Sequence, residues 1–261
     1  MTRTISLSDT TFIIPIRIDS FTRLENLLAV IHFIKKFDCK LIIIESITSN
    51  VSFTAKVLPK SNISYIGIKD EDVIFFRTHY INLALNEVHT PYVAVWDADV
   101  LVSTSQIATS IEALRSGNYE VSFPYNGIFL NTDYVFRSKY LVEHDFSQLI
   151  RYKKYFNRLY GKKFVGGGFL INKGKYIQAG KENENFYGWG PEDLDRVQRW
   201  EAMGYRIHRS AGPMIHLCHP RDINGGMRSE LHQNICMRQL QKSQYASSVD
   251  IETLNKQNTN K

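Results

Sequence analysis

Two aspartates one residue apart, Asp97 and Asp99, close the apolar run from Tyr92 to Trp96. A buried strand ending in two carboxylates gathers like charges, which repel each other and any phosphate nearby unless a divalent cation intervenes. Oxygen ligands suit Mg²⁺ or Mn²⁺, and an added imidazole tilts the choice towards Mn²⁺. His216 and His219 are the candidates for that further ligand, both near the end of a late apolar stretch. A capping role is the alternative for both aspartates. The same spacing recurs at Asp70-Glu-Asp72, where a polar setting reads as a solvated turn, and at Asp193-Leu-Asp195.

A second carboxylate group follows Tyr187-Gly-Trp-Gly-Pro191, with Glu192, Asp193 and Asp195 in the first turn of the helix beginning there. Negative charge suits a helix N-terminus, and that alone would account for them. Trp189 between two glycines adds an apolar platform for a sugar ring, beside carboxylates that bind hydroxyls. One of these can serve as general base. Gly166-Gly-Gly168 lets the backbone approach a substrate closely, or marks a strand bulge. Gly225-Gly226 gives the loop after His219 the freedom of a lid.

The elements that must position these groups alternate. Thr11 to Ile16 reads as a buried strand, and Leu24, Leu27, Leu28, Ile31 and Ile34 then recur at helical spacing, with Asp19 or Ser20 as N-cap. Leu41 to Ile44 and Ile63 to Ile68 are further strands. A helix over about 75–87 leads to the strand ending at Trp96. Such alternation predicts an α/β fold, a mostly parallel sheet flanked by helices. Ligands bind beyond the carboxyl ends of such strands, where Pro15, Arg17, Glu45 and Asp97 fall. Residues 133–163 look helical and irregular, a strand follows the glycine cluster, Pro191 suits the first position of the next helix, and Gly204 ends it. From 243 to 261 the polar, Ser- and Asn-rich composition predicts disorder.

With 261 residues, 43% of them hydrophobic and 22% charged, the chain suits a soluble domain with a sizeable core. No apolar run approaches a membrane span. The start, Met1-Thr-Arg-Thr-Ile-Ser6, has no leader-like apolar core, which predicts a cytoplasmic protein. Three widely spaced cysteines fit a reducing compartment. Much of the net charge of +6 lies in residues 151–163, where six basic residues interleave with aromatics. Three readings compete there: a solvated helix face, a peripheral contact with the anionic inner face of a membrane, and a nucleic-acid patch. No nucleic-acid motif accompanies the segment, so no nucleic-acid partner is expected. It could also line an acceptor groove.

Pro15-Ile-Arg17, Phe75-Phe-Arg77 with Asn82, Trp96-Asp-Ala-Asp99, Val165-Gly-Gly-Gly168, Tyr187 to Asp195 and His219-Pro-Arg-Asp222 occur in the order found in β-1,4-galactosyltransferases. They also resemble the related bacterial glycosyltransferases of GT-A fold, over about residues 11 to 222. The resemblance implies a single GT-A, Rossmann-like domain over 1–242, with a nucleotide-binding half (11–100) and an acceptor-binding half (101–242). It implies a UDP-sugar donor held by Pro15, Arg17, Phe75 and Arg77, with Asp97 near the ribose or metal; Glu45 by its strand-end position, and Gly167 and Gly168 by close backbone approach, are the further candidate substrate contacts. Asp99 and His219, with His216 the other candidate, would ligate manganese. Trp189 and Glu192 would bind sugars, and Asp193 would be the base of an inverting transfer. The acceptor implied is a hydroxyl of a glycan or lipid-linked saccharide, and the donor sugar galactose or N-acetylgalactosamine. A retaining transferase, a non-catalytic sugar-binding protein and a nucleotidyltransferase are the competing readings.

Overall fold

The computed structural model describes residues 5–259 apart from 49–51, 60–61, 162 and 222. The expected alternation is present. Strand β1 (Ile5–Ile16) leads to helix α1 (Phe21–Ile34), then β2 (Phe37–Ile47), α2 (Phe53–Val57), β3 (Ile63–Lys69), α3 (Arg77–Asn86) and β4 (Tyr92–Trp96). Ser20, not Asp19, caps α1 by accepting from the Arg23 N–H at 3.3 Å. The periodic residues Leu24, Leu27, Ile31 and Ile34 are buried on its inner face.

A seven-stranded sheet runs in the order β10-β6-β9-β4-β1-β2-β3, with β6 (Val121–Phe123), β9 (Gly168–Asn172) and β10 (Ile207–Arg209) from the second half. The pairs β1–β2, β1–β4, β2–β3 and β6–β10 are parallel, and β9 alone runs against its neighbours β4 and β6. β4 is therefore central, and Val93 to Trp96 are fully buried. A four-stranded sheet in the order β5-β11-β7-β8 packs beside it: β5 (Val100–Leu101), β7 (Phe129–Asn131), β8 (Asn157–Arg158) and β11 (Met214–His216). The remaining helices are α4 (Thr104–Arg115), α5 (Tyr134–Glu143), α6 (Phe146–Tyr152), α7 (Lys173–Gln178), α8 (Glu192–Ala202), α9 (Glu230–Tyr245) and α10 (Ser248–Thr259). Among the described residues no helix is long and apolar enough to cross a membrane.

The strand expected with the glycine cluster is present and starts at Gly168, Gly167 having a φ of +85°, outside the strand range. One expectation is corrected. The segment from 243, where composition predicts disorder, is helical over Ser248–Thr259. Two anchors account for this: Ile251 is buried, and the buried Ser243 hydroxyl donates to Asp195. Polar composition did not register so sparse a pair of anchors.

Candidate active site

The sheet's carboxyl edge builds a cleft lined by Pro15, Ile16, Arg17, Asp19, Arg23, Phe75, Arg77, Asp97, Ala98, Asp99 and Asn224. Five of these, Pro15, Arg17, Phe75, Arg77 and Asp97, are expected substrate contacts, and the structure brings them together. Arg17 is locked in place: it donates to Ser46 Oγ at 3.0 Å, the Asp72 carbonyl at 2.6 Å and Asp70 at 3.1 Å. Its rigid fork ties the ends of β1, β2 and β3 into one wall. Phe75 stacks on Tyr80 with centroids 5.3 Å apart, and its N–H donates to Asn224 Oδ1 at 2.8 Å. Asp222, last residue of the expected His219 loop, lies outside the described residues.

Glu45 is a correction. Its carboxylate is buried, and it accepts from Ser52 Oγ at 2.7 Å, Thr54 Oγ1 at 2.8 Å and the Tyr65 hydroxyl at 2.5 Å. It anchors α2 to β3 and does not line the cleft. A carboxylate at a strand end reads alike from sequence whether it faces ligand or scaffold.

The β4 ladder runs through Trp96, paired with Gly168, and the Asp97 N–H donates to the Gly167 carbonyl at 2.9 Å. The chain then turns, so that Asp97 faces α3 and Asp99 faces the small sheet. β5 pairs antiparallel with β11, setting Val100 opposite His216, and the Leu217 N–H donates to the Asp99 carbonyl at 2.8 Å. This register carries both histidines to Asp99. His219 Nε2 lies 3.1 Å from Asp99 Oδ2 and His216 Nε2 3.7 Å from Oδ1. One ligand atom from each of the three lies within 4.8 Å of the others.

The surroundings suit a divalent cation. His216 Nδ1 meets Asn131 Oδ1 at 2.6 Å, and His219 Nδ1 meets the Pro220 carbonyl at 2.7 Å. Each carbonyl oxygen favours a proton on Nδ1 and leaves Nε2 aimed at Asp99, the outer-shell arrangement typical of metal-bound histidine. Burial pushes the His216 imidazole down to about 4, so it is neutral. Burial opposes ionisation of Asp99, but the two imidazoles outweigh it and hold the carboxyl well below its ordinary range. Burial lowers His219 too, yet its bond to Asp99 raises it overall, so a cation bound there would displace its proton. One carboxylate and two imidazoles fit Mn²⁺ better than Mg²⁺.

On the other side of Asp97 stands the second carboxylate group. Arg77 Nη2 donates to Asp97 at 2.6 Å, while its Nη1 lies 4.0 Å from Asp193. Burial raises the Asp97 carboxyl, Arg77 opposes that, and Asp99 and Asp193 reinforce it, leaving the group above its ordinary range. Asp193 also pairs with Arg196, itself bound to Glu182 at 2.7 Å in the core. Asp193 Oδ1 thus faces both arginines. Glu192 is buried and accepts from the Gly190 N–H at 3.1 Å. Burial first and Asp193 second push its carboxyl up to about 8, so it carries a proton at neutral pH. Trp189 is 41% exposed, free to present its indole.

The glycines serve the scaffold. A Cβ at Gly168 would lie 2.8 Å from the Trp96 ring, and one at Gly167 would lie 2.6 Å from Met214 Sδ. A Cβ at Gly166 would stand 2.5 Å from Asp193 Oδ2. Gly167 and Gly168 are absent from the cleft lining; the smallness of Gly168 lets β9 close on β4, and that of Gly167 makes room for Met214 and Phe129 of the small sheet. Sequence reasoning missed Arg23, Asn131, Asn224, Glu182 and Arg196. Only Arg196 carried a signal, at helical spacing from Asp193.

Residues 148–220 match the family model described as the N-terminal domain of galactosyltransferase. No curated protein sequence matches the chain. Among solved structures, the catalytic domain of Drosophila β1,4-galactosyltransferase 7 in complex with xylobiose shares 16% identity at a TM-score of 0.48, covering 79% of this chain and 65% of that one. A mutant of the Drosophila enzyme with manganese, UDP-Gal and xylobiose gives 14% and 0.49, covering 77% and 64%. This chain therefore spans slightly less than two thirds of the Drosophila chains. The mannosyltransferase PcManGT from Pyrobaculum calidifontis, in complex with GDP-Man and Mn²⁺, gives 14% and 0.55, covering 95% and 73%. The expected fold is thus present: the chain has the GT-A glycosyltransferase fold, and its residues 148–220 resemble the N-terminal domain of galactosyltransferase.

Proposed function

We propose that this chain is a metal-dependent, inverting glycosyltransferase that moves galactose or N-acetylgalactosamine from a UDP-sugar to a hydroxyl of a glycan or lipid-linked saccharide. The observation that carries the reading is the placing of Asp99, His216 and His219 on one side of Asp97 and the Arg77–Asp193 pair on the other. The galactosyltransferase match favours the donor sugar, and the structural relative bound to Mn²⁺ favours the cation. Asp99, His216 and His219 would hold the metal, whose bound charge would neutralise the departing diphosphate.

The residues themselves do the rest. Pro15, Arg17 and Phe75 form the wall against which the nucleotide lies. Trp189 offers its indole to a sugar ring, and protonated Glu192 can donate one hydrogen bond. Asp193 Oδ2 accepts the proton of the attacking hydroxyl as its oxygen bonds to the anomeric carbon and the bond to UDP breaks. A single displacement inverts that carbon. The anomer formed distinguishes this from a retaining transferase.

The test is a thermal-shift series with nucleotide sugars, with and without Mn²⁺, on the wild type and Asp193→Asn. A ligand that binds only the folded state raises the midpoint. Mn²⁺-dependent stabilisation by a UDP-sugar, kept in Asp193→Asn while turnover is lost, is the expected result. Stabilisation by GDP-mannose alone would replace the donor class. Normal turnover by Asp193→Asn would remove the base.

A further inference from the structure

We propose that the outer face formed by α5, α6 and the 3₁₀ turn Lys153–Tyr155 docks on an anionic lipid surface, and that the acceptor saccharide is anchored in that surface. The second clause rests on the glycosyltransferase reading, whereas the first does not.

The face sets exposed apolar side chains beside basic ones. Val135 and Val142, seven residues apart on the same side of α5, are 74% and 83% exposed, and Tyr155 is 61% exposed. Phe136, one step round α5 from these valines, ties the helix to the turn, its ring lying 5.3 Å from Tyr152 and 6.3 Å from Tyr155 between centroids. Arg151, Lys153 and Lys154 project from the same segment. Among the described residues no carboxylate forms an ion pair with these three. Arg151 lies over the Tyr152 ring and Lys154 over the Tyr155 ring, at 5.9 and 5.0 Å.

The acidic groups nearby are already engaged. Asp133 caps α5 through the Phe136 N–H, Asp145 caps α6 through the Ser147 N–H, and Glu143 pairs with Lys139. Arg151, Lys153 and Lys154, set beside two valines and a tyrosine, form a basic, partly apolar patch, the pattern of an interfacial contact with anionic headgroups. A polyanionic glycan would use the charges but gives no reason for two valines to stand in water.

The chain also leads from this face to the chemistry. After Tyr155 it enters β8, which pairs with β7, and Asn131 of β7 holds His216. Leu159 and Tyr160 then line a cavity shared with His216 and His219. The segment that follows the docking face thus reaches the rim of the candidate metal centre.

Co-sedimentation of the full chain with vesicles, without donor or metal, tests this directly. Vesicles of phosphatidylcholine mixed with phosphatidylglycerol should retain the protein at low salt, and vesicles of phosphatidylcholine alone should not. Replacing Arg151, Lys153 and Lys154 with Gln should lower partitioning on the order of a hundredfold. Val135→Ser with Val142→Ser should lower it with the charges intact, which separates insertion from attraction alone. Equal partitioning of all variants, or no retention at low salt, would overturn the docking face. So would a soluble anionic polysaccharide that binds the wild type and both variant sets alike. If the face is right, the charge variant should lose transfer to a lipid-linked saccharide while keeping transfer to the free saccharide. Loss of both would overturn the anchored acceptor, and loss of turnover by wild type on either would count against the enzyme reading instead.

Discussion

Replacing Glu192 with Gln should stabilise the protein in alkaline solution and leave it nearly unchanged in acid. Glu192 is 8% exposed, and burial, followed by Asp193, pushes its carboxyl up to about 8 from an ordinary 4.5. The folded chain therefore keeps a proton that the unfolded chain releases between those two values. Stability from this group is complete below the unfolded value and is lost as pH rises towards 8. At about 1.4 kcal/mol per pH unit, the gap sets a ceiling on the order of 5 kcal/mol. Glutamine is neutral in both states and removes that slope. Urea denaturation at pH 5 and pH 9 should thus give a difference between variant and wild type of about 2–5 kcal/mol at the higher pH and little at the lower. Groups that titrate in both proteins cancel in that difference. Parallel stability curves across the range would refute the buried, protonated Glu192.

Arg196→Lys keeps the charge, but one ammonium cannot hold Glu182 and Asp193 together as the planar fork does. Steady-state kinetics should show kcat down about tenfold or more, with the donor KM unchanged; a change confined to KM would refute a positioning role. Gly168→Ala brings a Cβ to 2.8 Å from the fully buried Trp96 ring. Overpacking of that kind costs about 1–3 kcal/mol, and an unchanged urea midpoint would contradict the close approach of β9 to β4.

The first hundred residues are legible because their signals are local. A run such as Leu41 to Ile44 has only one way to be buried, and the spacing of Leu24, Leu27 and Ile31 fits only a helix. The candidate metal centre was legible in type but not in assembly. Asp99, His216 and His219 suggest themselves by chemistry, yet their meeting depends on β5 and β11, strands of two and three residues. Pairings that short leave no periodic trace. Glu45 shows the converse failure. Its position at a strand end is right for a ligand, and what decides its role is three hydroxyls supplied by Ser52, Thr54 and Tyr65.

Arg77 explains why the two halves of the chain cannot be separated in function. It opens α3, in the first half of the chain, and its guanidinium lies between Asp97, just after β4, and Asp193 at the start of α8. Burial works against its charge, but Asp97 and then Asp193 raise it further above its ordinary range. Without Arg77, Asp97 and Asp193 would face each other across a half-buried cleft, with Asp99 adding a third negative charge. Without Asp193, the buried Arg77 would keep only one of its two nearest anions. Removing one member of such a set leaves an uncompensated buried charge, which costs more than the set itself contributes. Asp97, Asp99 and Asp193 are therefore one electrostatic unit with Arg77, assembled only when both halves of the chain are folded together.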